Sequence, residues 1–136
     1  MDHITPTWES EAFVKLARLG AIVFLPTSDG KFLMQKNSPG EYNANKLRPP
    51  GGGKERKDKG LYDCAVRELH EEFNLDPLTV KKKLKFLGYS HRLKDGHWGT
   101  GVFELRNHGL KPGTYQASND PNEKVTLVES SIAHPD

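Results

Sequence analysis

Apolar residues along this 136-residue chain fall into short blocks with two different periods. The longest block, residues 12–25 (AFVKLARLGAIVFL), is ambiguous at its start, where Phe13 and Leu16 would suit a helix. Ile22, Val23, Phe24 and Leu25 are strongly β-prone, so a long strand bent at Gly20 is expected. Ser28-Asp29-Gly30 then reads as a turn and Lys31 to Gln35 as the next strand. Lys46 to Pro50 is a short extended segment, because a residue before proline avoids the helical region. Phe86–Leu93 and Trp98–Arg106 read as two strands joined by a Lys94-Asp95-Gly96 hairpin turn, and Val125–Val128 as the last strand. Lys81, Lys82, Lys83 and Lys85 alternate imperfectly with apolar residues and read as an exposed strand start with charged edge protection. Residues 1–11 form a polar arm, and residues 37–45 and 107–124 read as loops.

A different period governs residues 61–73. Leu61, Ala65, Leu69 and Phe73 recur at i, i+4 and mark one face of a helix that begins near Gly60 and stops at Asp76-Pro77. At roughly 100° per residue, Glu68 and Glu72 lie about 40° apart beside that stripe, and Glu71 lies on the same flank. Like charges at this spacing repel, and they sit toward the helix end where the macrodipole disfavours anions. An RELHEE run is commonly a solvated helix face. Here it follows the Gly-rich turn of Pro49 to Gly53, and that combination suggests divalent cations held against phosphate oxygens.

One helix and at least five strands make the chain α/β or α+β, and its length fits a single domain over residues 1–136. A hydrophobic content of 35% suffices for a small core. The formal charge of +2 is too small to imply a nucleic-acid or membrane partner. Cys64 is the single cysteine, which rules out an internal disulfide and fits a reducing, cytoplasmic setting; its place in the helix suits packing. No stretch approaches membrane-spanning length, and the N-terminus lacks a signal-peptide pattern.

Residues 53–75 resemble the signature of the Nudix hydrolases, G-x5-E-x7-R-E-U-x-E-E-x-G-U, where U is a bulky aliphatic residue. Gly53, Arg67, Glu68, Leu69, Glu71, Glu72 and Leu75 stand at matching positions, and Pro50-Gly51-Gly52 resembles the segment that commonly precedes this box. Two positions depart from it: the first Glu falls on Lys59 and the last Gly on Asn74. Asn tolerates the left-handed conformation that ends a helix. The missing Glu would brace Arg67, so another carboxylate is needed; Glu55, Asp58 and Asp63 are candidates, with Asp58 the first choice.

The resemblance implies an α/β/α sandwich around a mixed sheet and a Mg²⁺-dependent hydrolase, with Mn²⁺ as a substitute. It would cleave a phosphoanhydride in a nucleoside diphosphate linked to another group: a nucleoside triphosphate, ADP-ribose, a dinucleoside polyphosphate or a nucleotide sugar. Glu68 and Glu72 would be the main metal ligands, Glu71 would hold a further ion or a water beside it, and the Gly52 carbonyl would complete the first shell. Arg67 would orient the carboxylates, and the base could be Glu68, Glu71 or Glu123. Glu104 and Glu129 compete with Glu123 for the acidic place before the last strand. On the substrate side stand Gly53, Lys36, Arg48 and Tyr42, with Tyr89, His91, His97 and Trp98 as further groups near a base; solvated or packing roles are open for each. The chain ends at Asp136, which leaves little for the helix that follows in the family, so a trimmed fold or a covering second subunit (a homodimer) is expected. The alternative is a Nudix-fold nucleotide sensor or protein-binding module that has lost turnover through Lys59.

Overall fold

The structure is a computed structural model that describes residues 18–36, 46–92 and 98–131. It is a mixed α+β fold. In chain order the strands are β1 (Arg18–Pro26), β2 (Phe32–Lys36), β3 (Leu47–Arg48) and β4 (Gly51–Gly53). Two helices follow, α1 (Leu61–Phe73) and α2 (Pro77–Lys83). The chain continues with β5 (Lys85–Arg92), β6 (Trp98–Glu104), β7 (Gly113–Gln116) and β8 (Lys124–Ser130).

β1 is the centre of the sheet, whose order is β5-β6-β1-β2-β8-β7. One edge of β1 pairs in parallel with β6, from Arg18↔Trp98 to Phe24↔Glu104. The other edge is shared: Gly20, Ala21 and Ile22 pair with β4, and Leu25 and Pro26 pair with β2. Leu19, Ala21, Val23 and Leu25 alternate into the core, as the period-2 geometry of a strand requires. They meet the stripe of α1, in which Leu61, Ala65, Leu69 and Phe73 are all buried. Sharing β1 lets the short β4 run directly beneath α1, so the Gly-rich segment and the acidic helix face each other.

Close approach explains Gly51 in β4. A Cβ on Gly51 would sit 2.0 Å from the Ala21 carbonyl oxygen, so only glycine lets the two strands meet.

The helix ends follow local chemistry. Asn74 takes φ 57° and ψ 31°, the left-handed cap expected for it, and its N–H donates to His70 O. Asp76-Pro77 ends α1 but also starts α2, where a strand start was expected around the lysines. Asp76 Oδ2 accepts from Thr79 N at 3.1 Å while Pro77 occupies the first turn, a strong helix start. Lys81, Lys82 and Lys83 therefore lie in the last turn of a helix, where cations complement the dipole, and only Lys85 enters a strand. The expected 107–124 loop is also interrupted, since Gly113–Gln116 pairs with β8 from Gly113↔Leu127 to Gln116↔Lys124.

Strand limits shift slightly elsewhere. Lys31 belongs to the β1–β2 turn, with its carbonyl accepting from Thr27 N, so β2 runs from Phe32 to Lys36. The long N-terminal strand is seen from Arg18, and its 12–17 portion lies outside the described residues, as do the Lys94-Asp95-Gly96 turn, the 1–11 arm and the 37–45 loop. β5 and β6 pair antiparallel as expected. No helix among the described residues is long and apolar enough to cross a membrane.

Candidate active site

The site is assembled around one guanidinium. Arg67 projects from α1 into the segment that links β4 to the helix, and only 10% of its side chain is exposed. Its Nε donates to Asp58 Oδ1 at 3.0 Å and its Nη2 to Asp58 Oδ2 at 3.0 Å, a forked pair. Nη2 also donates to the Gly53 carbonyl at 2.9 Å. Nη1 reaches Glu71 Oε1 at 2.9 Å, Glu68 Oε1 at 3.1 Å and Glu55 Oε2 at 3.2 Å. Four carboxylates and a carbonyl therefore converge on one cation. Burial alone would lower the Arg67 pKa, but the Asp58 hydrogen bond and the charges of Glu68 and Asp58 raise it overall.

The brace expected from a Glu at position 59 is thus supplied by Asp58, with Glu55 as a second partner. Asp58 Oδ2 also accepts from Glu55 N at 2.9 Å, which folds the loop around the buried carboxylate. Burial would push the Asp58 pKa up, but the hydrogen bonds from Arg67 and the Glu55 amide carry it below its usual value. Asp63, the third candidate, instead accepts from Lys59 N at 3.1 Å.

Glu68 and Glu72 stand on the other side of Arg67. The Glu68 carboxylate lies against Gly52: a Cβ on Gly52 would meet Glu68 Oε1 at 2.5 Å. Burial raises the Glu68 pKa, Arg67 opposes it, and the charges of Glu71 and Glu123 add to it. Glu72 is 5% exposed, and its Oε1 has no hydrogen-bond partner among the described residues. Burial, then the charge of Glu68, push its carboxyl up to about 8, while Arg48 pulls the other way and Glu123 adds to the rise.

That combination tests the fit of a metal. An orphaned buried carboxylate oxygen beside a second carboxylate is costly unless protonated or matched by a cation. An all-oxygen donor set suits a hard divalent ion. Among the described residues no three His, Cys, Asp or Glu stand in ready-made coordination geometry, and Arg67 is bonded to both Glu71 and Glu68. The residues fit a divalent cation in kind, with Glu72 and Glu68 the readiest donors. Gly52 O lies 3.5 Å from the Cys64 thiol. Cys64 is buried, and burial pushes its thiol up to about 12, which suits packing.

The remaining expected residues divide. Glu123, just before β8, is close enough for its charge to raise both Glu68 and Glu72. Its competitors are engaged elsewhere, Glu104 with Arg106 at 2.8 Å and Glu129 with Lys31 at 3.4 Å. Arg48 lies on a cleft of about 420 Å³ whose other walls are Gly20, Ala21, Ile22, Gly52, Gly53 and Thr100. Lys36 is exposed at the end of β2 opposite Leu47 and Thr126, and makes no ion pair among the described residues. Tyr42 and His97 lie outside the described residues. The Tyr89 ring packs on Phe86 with centroids 4.6 Å apart.

Ser118 and Asn119 were not foreseen. Ser118 N donates to the Glu71 carbonyl at 2.7 Å and Asn119 Nδ2 to Glu71 Oε1 at 3.3 Å. They lie 47 and 48 positions from Glu71, so nothing in the local sequence marks the contact.

The profile of the NUDIX domain matches residues 16–131 of this chain. No curated protein matches in a sequence search. Among solved structures, the chain is similar to a MutT NUDIX hydrolase from Burkholderia pseudomallei, with TM-score 0.59 and 18% identity over 85% of this chain and 83% of that one. It is also similar to the ORF135 protein of E. coli, with TM-score 0.57 and 20% identity over 85% and 74% of the two chains. A MutT protein from Methanosarcina mazei Go1 gives TM-score 0.51 and 21% identity over 79% and 74%. At these identities the structures speak for the fold, and the domain match speaks for the family. Nudix hydrolases generally use divalent metal ions. The domain match, the shared fold and the box residues gathered on Arg67 place this chain in the Nudix family, as a pyrophosphohydrolase.

Proposed function

We propose that the protein is a Mg²⁺-dependent hydrolase of a nucleoside diphosphate linked to another group, with Mn²⁺ able to replace Mg²⁺. The observation that carries this reading is the buried Glu72 carboxylate, whose Oε1 lacks a partner beside Glu68 and within reach of the charge of Arg48. Glu72 and Glu68 would hold the cation, with Glu71 and the Gly52 carbonyl as further donors. When bound, the cation supplies neutralisation of phosphate oxygens and a lowered pKa for water. The chain supplies the rest. Arg67 fixes the rotamers of Glu68 and Glu71 through charge-assisted hydrogen bonds. Arg48 offers a positive charge on the rim of the glycine-lined cleft, where a phosphate chain can lie close to the backbone. Glu123 would accept a proton from the attacking water, and its charge acting on Glu68 and Glu72 supports it as the base over Glu68 and Glu71.

Lys59 motivates the alternative of a sensor without turnover. The forked Asp58–Arg67 pair supports the enzyme instead, because the brace that Lys59 removes is present from the neighbouring residue. A small nucleotide as substrate, a cytoplasmic setting and a homodimer belong to the same reading.

The test is product analysis over a panel of nucleoside triphosphates, ADP-ribose, dinucleoside polyphosphates and nucleotide sugars, with Mg²⁺ and then Mn²⁺. The expected products are a nucleoside monophosphate with a phosphorylated fragment, or with pyrophosphate from a triphosphate. No cleavage of any compound, with nucleotide binding intact, would favour the sensor.

A further inference from the structure

Helix α1 ends with a carbonyl that its own last turn does not satisfy. Asn74 N donates to His70 O at 2.9 Å and Leu75 N reaches back to Leu69 O at 3.4 Å, which passes over Glu71 O. The turn between β7 and β8 supplies the donors. Ser118 N reaches the Glu71 carbonyl at 2.7 Å and Ser118 Oγ at 3.1 Å. The next side chain, Asn119, then reaches the Glu71 carboxylate, where its Nδ2 and Arg67 Nη1 both donate to Oε1, at 3.3 and 2.9 Å.

The turn that carries these two residues is closed by its own hydrogen bonds. Gln116 Nε2 donates to the carbonyls of Asp120 at 2.9 Å and Glu123 at 3.0 Å, with the Ala117 carbonyl also within reach at 3.3 Å. Ala117 N donates to Glu123 O at 3.0 Å, and Ala117 is buried. The place of Asn119 beside Glu71 is thus set by the same closed turn that places Glu123.

We propose that Asn119 is a positioning residue for Glu71: its amide and Arg67 together hold Oε1, leaving Oε2 as the oxygen available to a divalent cation. An amide suits this task because it donates without neutralising the carboxylate, so the charge that attracts the cation is kept. The inference rests on the metal-dependent reading of the site. Asn119 is exposed, so its truncation leaves the core untouched.

The test is Mn²⁺ affinity, measured by calorimetry on wild type, Asn119→Ala, Glu71→Gln and the double variant, with thermal melts as folding controls. Loss of an outer hydrogen bond to a ligand weakens metal binding, here by roughly three- to tenfold in Asn119→Ala for a partly exposed contact. In the Glu71→Gln background the same truncation is expected to change nothing, because the residue acts through Glu71. An unchanged affinity in Asn119→Ala, or an equal loss in both backgrounds, overturns the proposal; the latter would mark general support of the turn. A wild type that binds no Mn²⁺ overturns the metal reading itself and the proposal with it.

Discussion

Asp58 grips Arg67 with both carboxylate oxygens, Oδ1 on Nε and Oδ2 on Nη2, each at 3.0 Å. This pair ties the loop after β4 to the helix that carries the acidic residues, and both partners are largely withdrawn from water. Truncating one member of such a pair leaves the other charge buried. Asp58→Ala should therefore cost about 2–4 kcal/mol, seen as a melting temperature lower by roughly 5–15 °C for a domain of this size. An unchanged melting temperature would remove the pair from the account.

Lys59 separates the inherited pattern from the working geometry. The Lys59 backbone N–H is bonded to Asp63, while its side chain is exposed. Lys59→Glu is expected to change stability by less than about 0.5 kcal/mol, as is usual for surface positions. Turnover should stay within about threefold of wild type, under 1 kcal/mol in the barrier, because Asp58 already braces Arg67. A gain of about a hundredfold would show that the brace is incomplete.

Two adjacent glycines should fail in different ways. In Gly51→Ala the new methyl would meet the Ala21 backbone carbonyl at 2.0 Å, which cannot yield without separating β1 from β4. The expected result is loss of more than about 3 kcal/mol or no soluble protein. In Gly52→Ala the methyl meets the end of the Glu68 side chain at 2.5 Å, and that group can swing away. Its melting temperature should fall little while Mn²⁺ affinity drops about tenfold or more, in the range seen when ligand placement is disturbed. Equal effects on both readouts in both variants would contradict the placement of Glu68.

Glu72 gives a pH signature in the absence of metal. Its folded carboxyl is raised to about 8 from 4.5, chiefly by burial and then by Glu68. A raised acid is at its most stabilising below its unfolded pKa, and that stability is lost as pH rises through the folded pKa. In chelator, the wild type should lose a few kcal/mol between about pH 4.5 and 8, at about 1.4 kcal/mol for each tenfold change in proton affinity. Asp58, with its lowered pKa, acts in the opposite sense and at lower pH, losing stability as pH falls. His108 is lowered by burial and gains stability as pH rises toward 6.5. Glu68, also raised by burial, acts in the same sense as Glu72, so the difference between wild type and Glu72→Gln reads the Glu72 carboxyl together with its coupling to Glu68: Glu72→Gln should melt higher than wild type at pH 8 and converge with it near pH 5. Saturating Mg²⁺ should raise the melting temperature of wild type at pH 8 and not that of Glu72→Gln.

Much of the site was legible because its parts are close in sequence. The Leu61, Ala65, Leu69, Phe73 stripe set the helix and the flank of the three glutamates by geometry alone. Asn74 could be read as a left-handed cap from its residue type, and Asp58 as the substitute brace from its place beside Lys59. Helix α2 was hidden by its lysines, which mimic a protected strand; the deciding signal, Asp76 as cap with Pro77 after it, also reads as a simple stop. Strand β7 is four residues between Pro112 and Ala117, and its identity depends on pairing with β8 rather than on its own pattern. Asn119 and Ser118 meet Glu71 only because β7 returns the chain over the end of α1, a tertiary event without a local signature.

The metal-dependent reading turns on Glu72, and the most direct measurement is turnover of the best substrate in the panel by wild type and Glu72→Gln across a Mg²⁺ titration. The predicted result is turnover that vanishes with chelation, saturates with Mg²⁺, and falls by about a thousandfold or more in Glu72→Gln, equivalent to about 4 kcal/mol of lost transition-state stabilisation. Turnover that survives in chelator, or a Glu72→Gln variant as active as wild type, would contradict it.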